Sequence, residues 1–445
     1  MRLPVLLALL LLALPSAGAY ADDTSEASAA PRRVAVRAAR LIDTAHQRVV
    51  ERPLVLIEGE KIVALSAGGE APAGVELIDL GTATLMPGFI DLHVHITGDS
   101  TSGTGNYFED ILKRSPIDDA VTAHLYAERT LRAGFTTVRN VGSAEYIDVA
   151  LARAIDHGRL QGPRILPSGL AIGATGGHID GNTGFSPYLE FHNASGVADG
   201  VEAVRAKVRD NVKHGAEVIK FMAGAGVLSA EASVGAPQYT QEEMNAIVDE
   251  SHRWGKRVAA HAHGAEAIRM AILAGVDSVE HASFIDDEGL RLAKQKGTWL
   301  VMDVYNDDYI LAEYARLGFP QQMIDKEKLV GRTQRENFRK AVRAGARMGF
   351  GTDAGVYPHG DNRKQFPKMV EWGMTPMQAL RAATSDAAEL LGWSDKVGAV
   401  EAGRYADLVA VAADPLADIH ALDAQPVFVM KGGEVVMRDA KVVAP

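Results

Sequence analysis

Eight short apolar segments recur through the middle of the chain, and most are followed by an amphipathic stretch with helical spacing. They are residues 88–95, 135–141, 164–172, 217–222, 257–261, 277–281, 298–304 and 347–353. Strands that alternate with helices in this way are typical of parallel sheets. We therefore predict an α/β fold with a TIM-like (β/α)8 barrel, which usually needs roughly 250 residues plus insertions. A doubly wound open sheet is the alternative, but no dinucleotide-binding fingerprint favours it.

Three helix starts in this region carry capping residues. Ser115 precedes Pro116, which suits the first position of a helix. Thr240 opens a capping box before an amphipathic stretch. Thr375 and Pro376 repeat the first pattern after the eighth strand. These signals predict three helices that begin directly after the capping residues.

Both ends of the chain have the pattern of short strands joined by tight turns. Residues 54–57 and 62–65 are aliphatic runs around a polar turn, and residues 407–411, 426–430 and 434–436 repeat the pattern. A length of 445 residues accommodates a barrel and a second, smaller domain. We predict a small β-sandwich domain formed by both chain ends, residues 33–86 and 393–445, on either side of a barrel at residues 87–392.

The first residues have the composition of a secretory signal. Arg2 is followed by the apolar run 3–14 and then by small residues that end in Ala19, Tyr20 and Ala21, an A-x-A cleavage pattern. A buried helix is the alternative, but the run is N-terminal and precedes a polar stretch. We predict that residues 1–21 are a signal peptide, that the protein is exported to the periplasm or secreted, and that its mature form does not enter a membrane.

Net charge limits the binding partners of the chain, and cysteine content limits its disulfides and metal ligands. The net charge is −11 and the chain has no basic block, which argues against nucleic acid or an anionic membrane as a partner and leaves a small-molecule substrate. Cysteine is absent, so the exported chain forms no disulfide. Any metal site must therefore use histidine and carboxylate ligands.

Candidate ligands lie at the ends of the predicted strands, where barrel enzymes carry their chemistry. The first strand ends in His93, Val94 and His95, and residues two apart on a strand point the same way. Both imidazoles can therefore reach one ion, although two histidines with structural roles are the alternative. Asp91 lies on the same face and is a candidate to orient an imidazole.

Lys220 stands inside an apolar run, where an unpaired ammonium costs free energy. Reaction of the amine with CO₂ would give a carbamate, whose two oxygens and negative charge can bridge two cations. A lysine that extends its charged end to the barrel mouth is the alternative.

Three further strand ends carry candidate ligands. The spacing does not decide between His261 and His263; we favour His261 and expect His263 to support it or to face the substrate. His281 ends the next strand, and Asp353 follows glycines on the last one. A lone aspartate there could instead cap a helix. Together the residues predict a hydrolase in which two divalent cations, most suitably Zn²⁺, activate a shared water while Asp353 moves the proton to the leaving nitrogen.

With these motifs in place, the chain resembles the amidohydrolase superfamily in its form with two metals and a carbamylated lysine. The resemblance rests on PGFIDLHVH, Lys220, HAHG, VEH and GTDAG, and on EAGRYADLVAVAADPL near the C-terminus. It implies one ion on His93, His95 and Asp353, another on His261 and His281, and carbamylated Lys220 between them. It favours His261 over His263, because the family keeps the first histidine of this motif.

Within the superfamily the chain is most similar to the imidazolonepropionase-like and Xaa-Pro dipeptidase-like branch, which includes ochratoxin-hydrolysing amidohydrolases. This branch implies release of a C-terminal amino acid from dipeptides or N-acyl amino acids, with ochratoxin A as a candidate substrate. It implies a homo-oligomer, since members often form octamers. It also implies that His178 faces the substrate and that Tyr239 holds the substrate carboxylate. Asn140 departs from the aspartate that is commoner at its position.

Other functions stay open beside amide hydrolysis. Hydrolysis of a cyclic amide or lactone, as in imidazolonepropionases, is the first alternative. Deaminases of the superfamily usually keep one metal and do not need the lysine, so Lys220 argues against them. A binding protein without activity should have lost at least one metal-ligating residue, so the complete set argues against this alternative. The glycine-rich run 173–184 lacks the lysine of a phosphate-binding loop, so we expect a mobile loop at the barrel mouth.

Overall fold

The computed structural model describes residues 31–189, 196–231 and 233–443. By its internal contacts the chain divides after Arg32, and the larger unit, Arg33–Pro445, carries the elements described below. The predicted signal peptide, residues 1–21, lies outside the described residues, so export stays a prediction. Within the described ranges, no helix combines the length and the apolarity that a membrane span requires.

The N-terminal part of this unit consists of short, mostly antiparallel strands. They are β1 Arg33–Arg37, β2 Arg40–Asp43, β3 Arg48–Glu51, β4 Pro53–Glu58, β5 Lys61–Ala67, β6 Glu76–Asp79 and β7 Thr84–Pro87. Four of them form a sheet in the order β5-β4-β1-β6. The predicted hairpin is confirmed as β4 and β5, and Gly59 turns between them with a φ of 56°, which glycine adopts without steric cost.

Parallel strands occupy the middle of the chain. They are β8 Phe89–Val94, β9 Phe135–Asn140, β10 Arg164–Leu166, β11 Val218–Met222, β12 Arg257–Ala262, β13 Ser278–His281, β14 Trp299–Val301 and β15 Met348–Gly349. They form one sheet in the order β10-β9-β8 and another in the order β11-β12-β13-β14-β15. Isolated parallel bridges join Ile172 to Phe221 and Val94 to Ala354, so the two sheets touch at both of their edges.

A strand is present at each of the eight predicted positions, but β10, β14 and β15 are each shorter than predicted by at least four residues. β10 ends at Leu166 because the next residue, Pro167, has no amide hydrogen to donate. The amides of Ser168 and Gly169 then donate to Asp148 Oδ2, each at 3.0 Å, and not to a neighbouring strand. β14 and β15 end before the loop residues that line the cavity described below.

The helices alternate with these strands and cover them. They are α1 Tyr107–Lys113, α2 Pro116–Arg132, α3 Ile147–Asp156, α4 Val201–Lys213, α5 Gln241–Arg253, α6 Ala265–Ala274, α7 Asp287–Lys296, α8 Asn306–Glu313, α9 Gln321–Arg343, α10 Gln365–Glu371, α11 Pro376–Ala382 and α12 Ser385–Leu391. The three predicted helix starts are confirmed: α2, α5 and α11 begin directly after Ser115, Thr240 and Thr375. Capping residues of this type contribute about 1 kcal/mol each.

After α12 the chain returns to its N-terminal strands. The last strands are β16 Leu408–Val411, β17 Phe428–Lys431, β18 Glu434–Arg438 and β19 Lys441–Val442. Val409 of β16 lies opposite Met86 of β7, which completes a sheet in the order β19-β18-β17-β16-β7-β2-β3. This sheet and the N-terminal one share a buried apolar cluster that includes Val36, Leu41 and Phe428. The domain boundaries themselves stay predictions.

The parallel strands are buried on both faces, as expected for strands covered by helices on one side and filled by side chains on the other. Every residue of β8, β9, β11 and β13 is buried. Burial of each large apolar side chain stabilises such a strand by about 1.5–3 kcal/mol. A charged side chain on the same strands costs free energy unless it is paired. The polar residues of these strands therefore point to a site.

Candidate metal and catalytic site

A cavity of about 210 Å³ lies at the carboxyl ends of the parallel strands, and we call it the strand chamber. Parallel pairing brings these ends to one edge, so residues far apart in sequence meet there. All six predicted metal ligands line the cavity: His93, His95, Lys220, His261, His281 and Asp353. His178 and His263 line it as well.

Asp353 and the two histidines of β8 form the first cluster. Asp353 Oδ1 lies 3.3 Å from His93 Nε2 and 3.2 Å from His95 Nε2. Two ligands that are each about 2.0–2.2 Å from one ion are typically about 3 Å apart. Among the described residues, His93 Nε2 and Asp353 Oδ1 are buried without a hydrogen-bond partner. Three converging donor atoms, two of them otherwise unsatisfied, could hold a metal ion.

Three imidazoles form the second cluster: those of His261, His263 and His281, with ligand atoms within 4.8 Å of one another. His281 Nδ1 lies 2.9 Å from Asp303 Oδ1; a carboxylate only accepts, so Nδ1 carries the hydrogen and Nε2 is left for an ion. His261 Nε2 is buried without a hydrogen-bond partner in the described part of the chain. His263 Nδ1 lies 2.8 Å from Ser283 Oγ. Burial and the neighbouring imidazoles hold the pKa of His261 well below its usual value. The ring is therefore neutral, and one of its nitrogens has a lone pair that can bind a metal ion.

Lys220, on β11, lines the same cavity and is 1% exposed. Burial lowers the pKa of its ammonium to about 8, against the attraction of Glu280 and Asp353. Removal of a charged amine from water makes the neutral, nucleophilic form more accessible. The lysine therefore does not extend its charge to solvent, which was the alternative interpretation of the sequence.

Glu280 and Arg139 orient His93, and the sequence analysis did not assign them this role. Glu280 Oε2 lies 2.9 Å from His93 Nδ1, which therefore donates and turns Nε2 towards the cavity. Arg139 Nη2 donates to Glu280 Oε1 at 2.7 Å and Arg139 Nε donates to the Leu92 carbonyl at 2.5 Å. Although burial opposes ionisation, Arg139 and His93 hold the pKa of Glu280 well below its usual range. Charged residues of opposite sign inside two apolar strands were the signal for this pair.

Asp91 has a different role from the one predicted. It contacts the backbone amide of His93, at 3.1 Å, and not an imidazole. Its Oδ2 accepts hydrogen bonds from Thr352 Oγ1 at 2.6 Å and from Asn362 Nδ2 at 2.8 Å. Asp91 therefore ties β8 to the segment that follows β15. Its short side chain contacts nearby backbone amides and does not reach an imidazole ring.

The backbone is strained where two of the candidate ligands stand. His281 has a φ of 64° and Asp353 a φ of 57°, values in the left-handed region that side chains other than glycine rarely adopt. Such conformations cost of order 1–3 kcal/mol and are commonest at functional sites. Gly351 packs so closely that an added Cβ would lie 3.0 Å from His93 Cβ and 2.2 Å from Val301 Cγ1. The strand ends thus hold their polar side chains at a cost in backbone free energy.

His178 and Tyr239, the two residues transferred from the family branch, lie in different surroundings. His178 lines the cavity, with its ring stacked at 4.2 Å on that of His261. Tyr239 is not among the lining residues of the strand chamber; its buried hydroxyl donates to the Ala198 carbonyl at 2.8 Å. The hydroxyl hydrogen is thus used inside the core, and contact of Tyr239 with a substrate carboxylate stays a prediction.

Helix α9 adds a carboxyl group that the sequence analysis did not select. Glu327 lines the strand chamber and is 4% exposed. Burial, with repulsion from Asp307 and Asp303, raises its pKa to about 8. Lys326, its neighbour, donates to the Gly226 carbonyl at 2.9 Å. Charged residues on the buried face of a long amphipathic helix were the available signal.

Comparisons with known proteins agree with this geometry. Residues 84–436 match the amidohydrolase family. Ochratoxinase from Aspergillus niger is 31% identical to the chain over 409 residues, which cover 86% of this chain and 83% of that protein. The family match therefore runs from β7 through the parallel strands to β18.

Two solved structures have the same fold. A Xaa-Pro dipeptidase with methionine bound in its active site is 37% identical with a TM-score of 0.85, over 91% of this chain and 99% of that one. A prolidase complexed with N-methylphosphonate-L-proline is 32% identical with a TM-score of 0.84, over 91% of this chain and 100% of that one.

Proposed function

The chain belongs to the amidohydrolase family and is a hydrolase of amide C–N bonds, and on this premise we propose that it releases a C-terminal amino acid from dipeptides or N-acyl amino acids. One observation carries the proposal. Three donor atoms of the strand chamber, His93 Nε2, His261 Nε2 and Asp353 Oδ1, are buried without a hydrogen-bond partner among the described residues. Buried polar atoms are normally satisfied, so this set calls for a ligand.

We propose that this ligand is a pair of divalent cations. His93, His95 and Asp353 would hold one and His261 and His281 the other, since neutral imidazole and carboxylate donors suit Zn²⁺. Bound cations would polarise the amide carbonyl and lower the pKa of a water molecule. The hydrogen bonds of His93 to Glu280 and of His281 to Asp303 support the assignment, because each leaves Nε2 free.

We further propose that Lys220 is carbamylated. The neutral amine would attack the carbon of CO₂, a C–N bond would form as one C=O π bond opens, and the nitrogen would release one proton to water. The product would be an anion with two oxygens that could serve as further metal ligands in the strand chamber. The lowered pKa of Lys220 and its complete burial support this modification.

Asp353 is the group that would move the proton. Although burial opposes ionisation, His93 and His95 hold its pKa well below the usual value, so it is ionised and can accept a proton from water. Asn306 Nδ2 lies 3.3 Å from Asp353 Oδ2 and orients the carboxylate. The same carboxyl then returns the proton to the leaving nitrogen. His178 and His263 line the chamber beside it and would face the substrate.

Relatives support the substrate class. A protein similar to this one is an ochratoxinase, and two similar structures are a Xaa-Pro dipeptidase and a prolidase. Ochratoxin A is therefore included among the substrates proposed here. Each of these substrates would release a C-terminal amino acid.

Release of free amino acid from a panel of dipeptides and N-acyl amino acids, ochratoxin A included, tests the function. We expect turnover that a chelator abolishes and that added Zn²⁺ restores, with about two metal ions per chain measured at full activity. Full activity in metal-free protein would contradict the proposed site.

Four further proposals concern the whole molecule. We infer that the parallel strands close into a (β/α)8 barrel, supported by the bridges at both edges of the two parallel sheets. We infer that the terminal sheets form a β-sandwich, supported by their shared apolar cluster. Export after cleavage near residue 21 and assembly as a homo-oligomer, up to an octamer, complete the proposal; mass measurement of the exported protein tests both.

A further inference from the structure

A second cavity of about 410 Å³ adjoins the strand chamber, and we call it the side chamber. Three residues line both cavities: His178, Ile179 and Leu228. The other walls come from α1, from the segment 180–185, from residues 229–230 and from the start of α9. A group that extends from the strand chamber past His178 therefore enters the side chamber.

The lining of the side chamber is largely apolar and aromatic. Tyr107 and Phe108 of α1, Phe185 and Met323 contribute to it. Phe108 and Phe185 meet edge to face with centroids 6.3 Å apart. Neither lysine nor arginine occurs among the described residues that line this cavity. Pockets of this size and composition bind uncharged, flat groups, because aromatic walls gain from burial and from ring contacts.

One carboxylate, Asp180, lines the side chamber and decides which end of the substrate fits. It accepts hydrogen bonds from the amides of Gly176 at 2.8 Å and Asn182 at 3.0 Å. A second carboxylate nearby would be repelled, and no cation of the lining would compensate. The carboxylate of the leaving amino acid is thus excluded from this cavity.

The partition between the two cavities is closely packed and hydrogen-bonded. An added Cβ at Gly226 would lie 2.1 Å from His178 Cε1, so the loop packs directly against the ring. His178 Nδ1 lies 2.7 Å from Ser229 Oγ, and Lys326 Nζ donates to the Ser229 carbonyl at 2.8 Å. Walls held by such contacts lose little conformational freedom when a ligand binds.

We propose that the side chamber binds the acyl part of the substrate, and that this part is a large, flat, uncharged group. The inference rests on the proposed amide hydrolysis and narrows its substrate class. With the amide at the strand chamber and the amino acid carboxylate excluded, the acyl group is the part that reaches past His178. Aromatic acyl amino acids are then better substrates than acetyl amino acids or free dipeptides.

Three substrates with the same leaving group, phenylalanine, test this inference on the metal-loaded protein. They carry an N-(2-naphthoyl), an N-acetyl or an N-glycyl group, the last with a free amine that could instead pair with Asp180. We expect kcat/KM for the naphthoyl substrate to exceed that for each of the others by about tenfold or more, as burial of a ring system predicts.

Variants locate the preference in the side chamber. Phe185→Ala, and separately the half-exposed Phe108→Ala, should lower the ratio of kcat/KM for naphthoyl over acetyl about fivefold, because each removes one aromatic wall. Tyr188→Ala is the matched control: Tyr188 follows Phe185 closely in sequence, is 95% exposed and lies outside the lining, so the ratio should not change.

The outcomes separate the two proposals. Release of phenylalanine from all three substrates at similar rates, or an unchanged ratio in both alanine variants, would overturn the role of the side chamber and leave amide hydrolysis standing. A preference for the glycyl substrate would overturn it too, in favour of an ammonium beside Asp180. No release from any substrate by protein with full metal content would overturn the proposed function, and this inference with it.

Discussion

The strand chamber and the side chamber share a wall but are built in different ways. Candidate ligands of the strand chamber stand on or directly after parallel strands, in positions set by register. The walls of the side chamber come from a helix, a glycine-containing segment and the start of α9. Histidine and carboxyl groups are concentrated in the lining of the first cavity, and the second is lined largely by apolar side chains that include the rings of Tyr107, Phe108 and Phe185.

The difference separates chemistry from selectivity. The backbone of a strand inside a sheet is held by hydrogen bonds to a neighbouring strand on each side. Its side chains therefore project from fixed positions, and their metal-binding atoms can converge within a few tenths of an ångström. Loops and helix ends tolerate substitution and insertion better. Substitutions in the walls of the side chamber can therefore change the group that is accepted without disturbing the donors on the strands. The following experiments would break or sharpen this comparison.

The largest effect is expected at the strand chamber. Asp353→Asn and Lys220→Ala should each lower kcat/KM by about a thousandfold or more, because proton transfer alone contributes about a hundredfold to ten-thousandfold. Kinetics with a dipeptide or N-acyl amino acid, alongside metal analysis, measure this. Unchanged kcat/KM in either variant with normal metal content would remove that residue from the mechanism.

A smaller effect is expected one layer behind the donors. Glu280→Gln should weaken metal binding and activity by about tenfold to a hundredfold, because the amide no longer holds His93 Nδ1–H as a carboxylate does. Competition with a chromogenic chelator measures the affinity. Glu288→Gln, at a half-exposed position of α7, is the control. Equal metal affinity in both variants would show that Glu280 does not position the ligand.

A substitution on the helical side of the strand chamber should change the free energy of unfolding. Glu327 has a pKa raised to about 8 from 4.5, so the folded chain keeps a proton that the unfolded chain has released, and stability falls as pH rises through this window. In metal-depleted protein, the Glu327→Gln variant has no carboxyl group to titrate at this position and therefore does not lose stability in this way. Its free energy of unfolding relative to wild type should rise by about 1–3 kcal/mol between about pH 5 and about pH 8.

Urea denaturation at both pH values measures that difference. Glu336→Gln changes an exposed carboxylate on the same helix and should show no comparable trend. A flat difference between wild type and Glu327→Gln would mean that the Glu327 carboxyl is ionised in the folded protein despite its burial.

The smallest effect is expected at Tyr239, outside the strand chamber. Tyr239→Phe should change kcat/KM by less than about twofold, and should lower the free energy of unfolding by about 1 kcal/mol through loss of the hydrogen bond to Ala198. A rise in KM specific to substrates with a free carboxylate would support the role that the family branch implied.

Sequence patterns were informative where local rules apply. The positions of the eight strands, the three capped helices and the β4–β5 hairpin followed from apolar runs, capping residues and a turn. The histidines, Lys220 and Asp353 were recognisable because polar side chains interrupt apolar strands at their ends, and the structure brings all of them to one cavity. Glu280, between Val279 and His281, carried the same signal but was not interpreted.

Other features depended on contacts between distant segments. After Pro167 ends β10, a distant carboxylate on α3, Asp148, accepts the next two backbone amides. The hydroxyl of Tyr239 could face a substrate or the core, and the packing of Ala198 selected the core. Glu327 enters the strand chamber because α9 lies across it.

The sequence by itself determined the order of the elements and the chemical identity of the donors, because periodicity and residue type are local properties. The tertiary structure alone decided which ring nitrogen each histidine presents, which carboxylate orients it, and which side chains wall the second cavity. Those outcomes depend on partners that are distant along the chain, and burial makes each unpaired polar atom costly enough to select one arrangement.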